Sequence, residues 1–194
     1  RTLVEAELEL CPDPLQPLQP LKLDGEGLEL LEIHVNGLPL TPDQYVQDER
    51  GLRLPSVTQA CTLRTRVAIS PRANSALEGL YTSGDLLLTQ CEAEGFRRIT
   101  FFIDRPDVLS VYEVSLQADA ERFPVLLANG NPLGRETLDN GQHVARWHDP
   151  FPKPSYLFAI AAGRMDHVSA PFTTAEGRQV SINIWCDRGF APRC

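Results

Sequence analysis

The sequence predicts an all-β fold, a sandwich or barrel of many short strands with almost no helix. Three observations predict it. Apolar residues recur with a period of two in run after run. Turn-forming clusters separate these runs at intervals of about 8–12 residues, as in sandwiches and barrels. No segment offers three clean helical turns.

The elements follow in order. Val4, Ala6, Leu8 and Leu10 alternate with Glu5, Glu7 and Glu9, which puts apolar groups on one face and carboxylates on the other. Pro12, Pro14, Pro17 and Pro20 then make an extended surface connection, because proline supplies no ladder donor. Leu31, Ile33 and Val35 alternate with Glu32 and His34 and run into Asn36-Gly37, a hairpin turn pair tolerant of positive φ. Short strands are expected at 44–46 and 52–54. Cys61, Leu63, Thr65, Val67 and Ile69 alternate against Arg64 and Arg66, and Pro71 ends the run. Residues 72–84 read as a loop. Later strands are expected at 98–103, 110–118, 125–128, 143–147 and 155–162. A last hairpin pairs 171–174 with 179–185 across Glu176-Gly177.

Composition bounds the function. The chain has 194 residues, 42% apolar and 23% charged, enough to bury a core without disulfides or metal. With 18 basic against 26 acidic residues its formal charge is −8, and it has no Lys/Arg run, so nucleic acid is excluded as a partner. No apolar run approaches the roughly 18 residues of a membrane span. Cys11, Cys61, Cys91, Cys186 and Cys194 are odd in number and widely spaced, which fits free thiols in a reducing, cytoplasmic setting and no cysteine zinc site. The chain starts at Arg1 and stops at Cys194 with Met165 as its one methionine, so a piece of something longer is expected. Residues 1–194 show no second domain.

His34, His143, His148 and His167 form no His-x-x-x-His or His-Glu-x-x-His, and structural or surface duty is expected of each. Thr89-Gln90-Cys91-Glu92-Ala93-Glu94-Gly95-Phe96-Arg97 is the unusual segment. If extended, it places Gln90, Glu92 and Glu94 on one face, an amide and two carboxylates able to hold an ammonium group. The alternative is a solvated acidic face beside a turn. In Asp104-Arg105-Pro106-Asp107, Arg105 between carboxylates suggests an ion pair that fixes the turn. Residues 149–159, rich in proline, read as a stiff packed loop that could present Phe151 to a neighbour. Trp147 and Trp185 lie in strand patterns that bury them, which disfavours a carbohydrate-binding platform.

These segments carry a resemblance. Thr89 to Arg97, Ile99 to Asp107, Ala128 to Asn131 and Asp149 to Ala159, preceded by Asn74-Ser75-Ala76-Leu77-Glu78-Gly79-Leu80-Tyr81, stand in the order and spacing of the amino-terminal domain of bacterial aminopeptidase N. The chain resembles that family of gluzincin zinc aminopeptidases from about Asn74 to Arg188. The resemblance implies an open, saddle-shaped β-sheet domain packed on a thermolysin-like catalytic domain of the same parent chain. It implies zinc in the parent, where zinc and a glutamate base activate water, and none on this chain. It implies that Glu92 binds the α-ammonium of peptide N-termini and that Gln90 lines the first specificity pocket. No ligand role is carried over to Glu94. The Gly-Ala-Met-Glu-Asn and His-Glu-x-x-His motifs and the catalytic tyrosine are absent, so the chain alone is expected to be inactive. Peptide catabolism is the expected setting. A different class of function stays open: a non-catalytic protein-interaction module built on the same β domain.

Overall fold

A computed structural model describes residues 1–194. Strand accounts for 54% of the chain and helix, all of it short 3-10 turns, for 6%, so the fold is all-β. Its antiparallel sheets stay open and none closes into a barrel. No helix is long and apolar enough to cross a membrane.

In the first sheet, β1 (Thr2–Leu10) pairs with β7 (Cys61–Ile69) from Thr2↔Ile69 to Leu10↔Cys61. Strand alternation turns Val4, Leu8 and Leu10 toward the core. On the other face Glu5 lies 3.4 Å from both Arg64 and Arg66. β3 (Glu29–Val35) flanks β7 on the far side and turns at Asn36-Gly37 (φ 50° and 78°) into β4 (Leu38–Pro39). The register of β3 slips between Leu30 and Glu32. Leu31 therefore lies on the exposed side and Leu30 packs on the core with Ile33 and Val35, a correction to the simple alternation expected there.

A second sheet orders β2 (Leu21–Asp24), β6 (Gly51–Leu54) and β5 (Val46–Asp48). Its Leu23, Leu52 and Leu54 meet Leu63 and Val67 of the first sheet in the main core. The proline-rich residues 11–20 form no strand and are exposed, as expected.

The third sheet is β11 (Val125–Ala128), β14 (Ile160–Gly163), β9 (Leu86–Gln90) and β8 (Gly79–Ser83). β8 corrects the loop expected over 72–84. It is a real strand because its backbone pairs fully with β9, from Gly79↔Gln90 to Ser83↔Leu86. The strand expected at 98–103 does not form. Ile99, Phe101 and Phe102 are buried, and only an isolated bridge joins Phe102 to Asp24. A short apolar run buried on all sides carries no period to distinguish strand from core loop.

In the fourth sheet β13 (Gln142–Pro154) runs between β10 (Leu109–Asp119) and β12 (Asn131–Thr137). β12 is wholly exposed and shows no alternation, so no period marks it as a strand. β13 continues through Pro150 and Pro152, where a loop was expected. Beyond His148 it has only β10 as neighbour, so those prolines sit at an edge. The strand expected at 155–162 is a 3-10 turn, Ser155–Leu157, followed by β14. Trp147 and Trp185 are half-buried rather than enclosed. β15 (Asp166–Thr173) and β16 (Gln179–Cys186) form the expected last hairpin, longer than predicted.

Candidate functional site

β9 is an inner strand, and Gln90 is its last residue. Beside it, Thr89 Oγ1 accepts from Ile160 N at 2.8 Å and ties β9 to β14. Extended backbone stops here. Cys91 is buried, residues 92–95 turn, and Phe96–Arg98 coil into a 3-10 turn. Gly95 N–H donates to Cys91 C=O at 2.8 Å and closes the turn. A Cβ on Gly95 would stand 2.2 Å from the Gln90 carbonyl oxygen, so only glycine fits. Phe96 then drops into an aromatic cluster, with ring centroids 4.9 Å from Phe102 and 5.0 Å from Phe158, both edge-on.

Gln90 and Glu92 are both exposed, on either side of buried Cys91. The Gln90 side-chain amide donates to the Glu92 backbone carbonyl at 3.0 Å, which joins strand end and turn. The Glu92–Ala93 peptide bond is cis. The Glu92 carboxylate accepts no protein hydrogen bond and faces no cation within ion-pair distance. Glu94 differs. The extended strand expected to align Gln90, Glu92 and Glu94 ends at Gln90, so both glutamates lie on the turn and the common extended face does not form. Glu94 pairs instead with Arg97 Nη1 at 3.2 Å.

Beneath the turn lies a polar anchor. Asp104 has no exposed side-chain surface. Its Oδ2 accepts from Arg97 Nε at 2.9 Å and from Arg97 N–H at 3.2 Å, and its carbonyl accepts from Arg97 Nη2 at 3.0 Å. Its Oδ1 accepts from Ser155 Oγ. Burial works against the Arg97 charge, but the hydrogen bond and charge of Asp104 outweigh it and hold the guanidinium above its ordinary range. Burial, with the charge of Asp104 adding to it, pushes the Cys91 thiol up to about 12. The same two causes push the Tyr112 hydroxyl up.

Sequence reasoning missed Arg97, Asp104 and Ser155 as a unit. The signal was there: a carboxylate after the apolar run 99–103 needs a partner if buried. Arg105 does pair with Asp107, as expected, but Asp104 turns inward to Arg97.

The residues do not fit a zinc site. The histidines stand on separate elements: His143 Nε2 is 2.7 Å from the Phe123 carbonyl, His148 is 3.5 Å from Glu113, and His167 stacks on Trp185 at 4.2 Å. No three His, Cys, Asp or Glu side chains converge to hold a metal.

Two surface hollows accompany the site. One, of about 490 Å³, lies between Gly25, Leu28, Gln47 and Phe101 and contains neither Gln90 nor Glu92. The other, of about 400 Å³, is lined by Leu86 and Leu88 of β9 with Leu127, Met165, Trp185 and Phe190. It gives the Gln90 strand an apolar flank.

The chain is similar to known proteins over most of its length. The family model described as the peptidase M1 N-terminal domain matches residues 13–157. Aminopeptidase N of Caulobacter vibrioides is 49% identical over 193 residues, covering 100% of this chain and 22% of that protein. Aminopeptidase N of Escherichia coli is 48% identical over 170 residues, covering 88% of this chain and 19% of that protein. The crystal structure of Legionella pneumophila aminopeptidase A in complex with aspartic acid superposes with a TM-score of 0.94 at 30% identity, covering 99% of this chain and 23% of that one. The chain thus spans about a fifth of the length of the curated relatives it matches.

Proposed function

The chain belongs to the peptidase M1 N-terminal domain family, and from that premise we propose that residues 1–194 are the single amino-terminal β domain of a longer zinc metallo-aminopeptidase. The domain contributes recognition of the substrate's free α-amine and lining for its first side-chain pocket. Glu92 receives the ammonium group and Gln90 borders the pocket.

One observation carries this reading. Glu92 is an exposed carboxylate that no protein cation or donor satisfies, fixed on a tight turn beside Gln90. An ammonium group offers three donors, and charge-assisted bonds to a carboxylate are worth about 1.5–3 kcal/mol each. Removal of one residue at a time then follows from binding. A peptide held by its amino terminus presents only its first peptide bond at a fixed distance, and an internal segment leaves Glu92 without its partner.

The donor set of this chain does not fit zinc, so the metal and the bond-breaking step belong to another part of the longer protein. The apolar hollow flanking β9 suits contact with such a catalytic domain, which would complete the site around Gln90 and Glu92. Substrates are peptide N-termini in peptide catabolism. The five free cysteines suit a cytoplasmic location.

The test is steady-state kinetics of the longer protein on an aminoacyl anilide. Glu92→Ala is expected to lower kcat/KM roughly 30- to 150-fold, the equivalent of about 2–3 kcal/mol. The α-N-acetylated substrate should be refused by both proteins, and residues 1–194 alone should hydrolyse neither. Unchanged kinetics in Glu92→Ala would remove Glu92 from the site. Failure of the longer protein to cleave any free-amine substrate would point to a non-catalytic interaction module.

A further inference from the structure

The turn after β9 carries two carboxylates, Glu92 and Glu94, only two residues apart. Both are exposed, Glu94 with 70% of its side-chain surface. A substrate ammonium seated on the wrong one would shift the peptide along the site. The two differ in one respect: Glu94 is occupied by Arg97 Nη1 at 3.2 Å and Glu92 is free. We infer that Arg97 is a specificity-determining residue, which masks Glu94 and so leaves Glu92 as the single carboxylate of the turn open to the α-amine of a peptide. The inference rests on the reading of Glu92 given above.

The masking is built, not incidental. An exposed ion pair alone contributes little and exchanges readily with solvent. Here the arginine is held from behind. Only 14% of its side chain is exposed, and its Nε and Nη2 are spent on Asp104 Oδ2 and the Asp104 carbonyl at 2.9 and 3.0 Å. Asp104 in turn is fixed by Ser155 Oγ on Oδ1, and its own N–H donates to Asp24 Oδ2 at 3.2 Å. The guanidinium therefore presents its remaining edge in one direction, toward Glu94. Lysine has no planar fork and could not hold Asp104 and Glu94 in this way.

Unmasking Glu94 creates a second seat for the ammonium in which the peptide bond is out of reach of the chemistry. Such unproductive binding lowers kcat and KM together, because part of the enzyme is tied up at every substrate concentration. Loss of a productive contact does the opposite to KM.

The experiment uses the longer protein with an aminoacyl anilide as substrate and thermal denaturation as a fold check. Arg97→Gln is combined with Asp104→Asn, so that no buried charge is left unpaired. This double variant is expected to show kcat and KM both lower by about twofold, for a second seat equal in strength to the first. Adding Glu94→Gln should return both constants toward wild type without restoring the melting temperature. Glu94→Gln alone, where Arg97 already pairs with the carboxylate, should leave both near wild type. Glu92→Gln, as the control on the underlying reading, should raise KM. The inference is overturned if the double variant keeps its KM or raises it, or if Glu94→Gln fails to reverse the change. If Glu92→Gln leaves KM untouched, the assignment of Glu92 falls first and this one with it.

Discussion

The Lys153 ammonium lies 2.6 Å from Asp149 Oδ2 on the same strand, β13, and 4.1 Å from the centroid of the Tyr112 ring. Residues four apart on a flat strand stand about 13 Å from each other. The long lysine stem, the prolines between the two residues and the register shift opposite them at Ser110–Tyr112 bring them together. Only 11% of the Lys153 side chain is exposed, so its charge depends on this partner.

That dependence gives a pH prediction. The hydrogen bond from Lys153 holds the Asp149 carboxyl below its ordinary value of 3.8, against the opposing effect of burial. A depressed carboxyl contributes stability above its unfolded pKa and loses it as pH falls through the folded one. Lys153→Met is expected to cost about 2 kcal/mol at neutral pH. Denaturant unfolding from pH 7 to pH 2 should show the gap between the two proteins constant down to about pH 4 and closing below it.

Cys91 makes a second prediction. Burial and the Asp104 charge push its thiol up to about 12, so at neutral pH it is a neutral thiol and a poor nucleophile. Titration of the native chain with a thiol reagent should label exposed Cys11 and Cys194 quickly, the half-buried Cys61 and Cys186 slowly, and Cys91 only on unfolding. Fast labelling of all five in the native state would contradict the buried position of Cys91 under the turn.

Residues whose role is carried by alternation were legible in the sequence. β1 and β7 were read nearly to the residue because Glu5, Glu7 and Glu9 alternate with apolar groups, and Arg64 and Arg66 answer them across the sheet. Strands without that contrast were not. β12 lies wholly in solvent, and β8 is defined by pairing to β9. The site was legible as a string and only half so as a geometry. Gln90 and Glu92 were singled out, but their placement on one extended face with Glu94 failed where β9 ends at Gln90, ahead of both glutamates. The Arg97–Asp104–Ser155 anchor joins residues up to 58 positions apart, which no local pattern announces.

Phe96 is the point at which the turn is fastened to the core. It meets Phe102 and Phe158 edge-on at 4.9 and 5.0 Å, and Tyr112 at 6.0 Å. Phe96→Ala is expected to cost about 3–5 kcal/mol, and Phe96→Leu, which keeps most of the volume, less than about 1.5 kcal/mol. Chemical denaturation measures both. Equal costs for the two would mean that ring volume is not what the cluster uses.

Gly95 and Gly37 separate two reasons for glycine. At Gly37 φ is +78° and a Cβ would meet nothing within 4 Å, so Gly37→Ala carries only the backbone cost of left-handed φ, about 1–2 kcal/mol. At Gly95 φ is −77°, which any residue adopts, but a Cβ would stand 2.2 Å from the Gln90 carbonyl and 2.9 Å from Gly79 N. Neither is a flexible side-chain tip, so the turn itself must move. Gly95→Ala is therefore expected to cost more than Gly37→Ala, about 2–3 kcal/mol. It should also lower kcat/KM of the longer protein, because Gln90 and Glu92 ride on the displaced backbone, whereas Gly37→Ala should leave it unchanged. Thermal denaturation and kinetics on the same two variants check this. A Gly95→Ala protein with wild-type kcat/KM and a lowered melting temperature would show that the turn tolerates displacement and that its geometry does not set the position of Glu92.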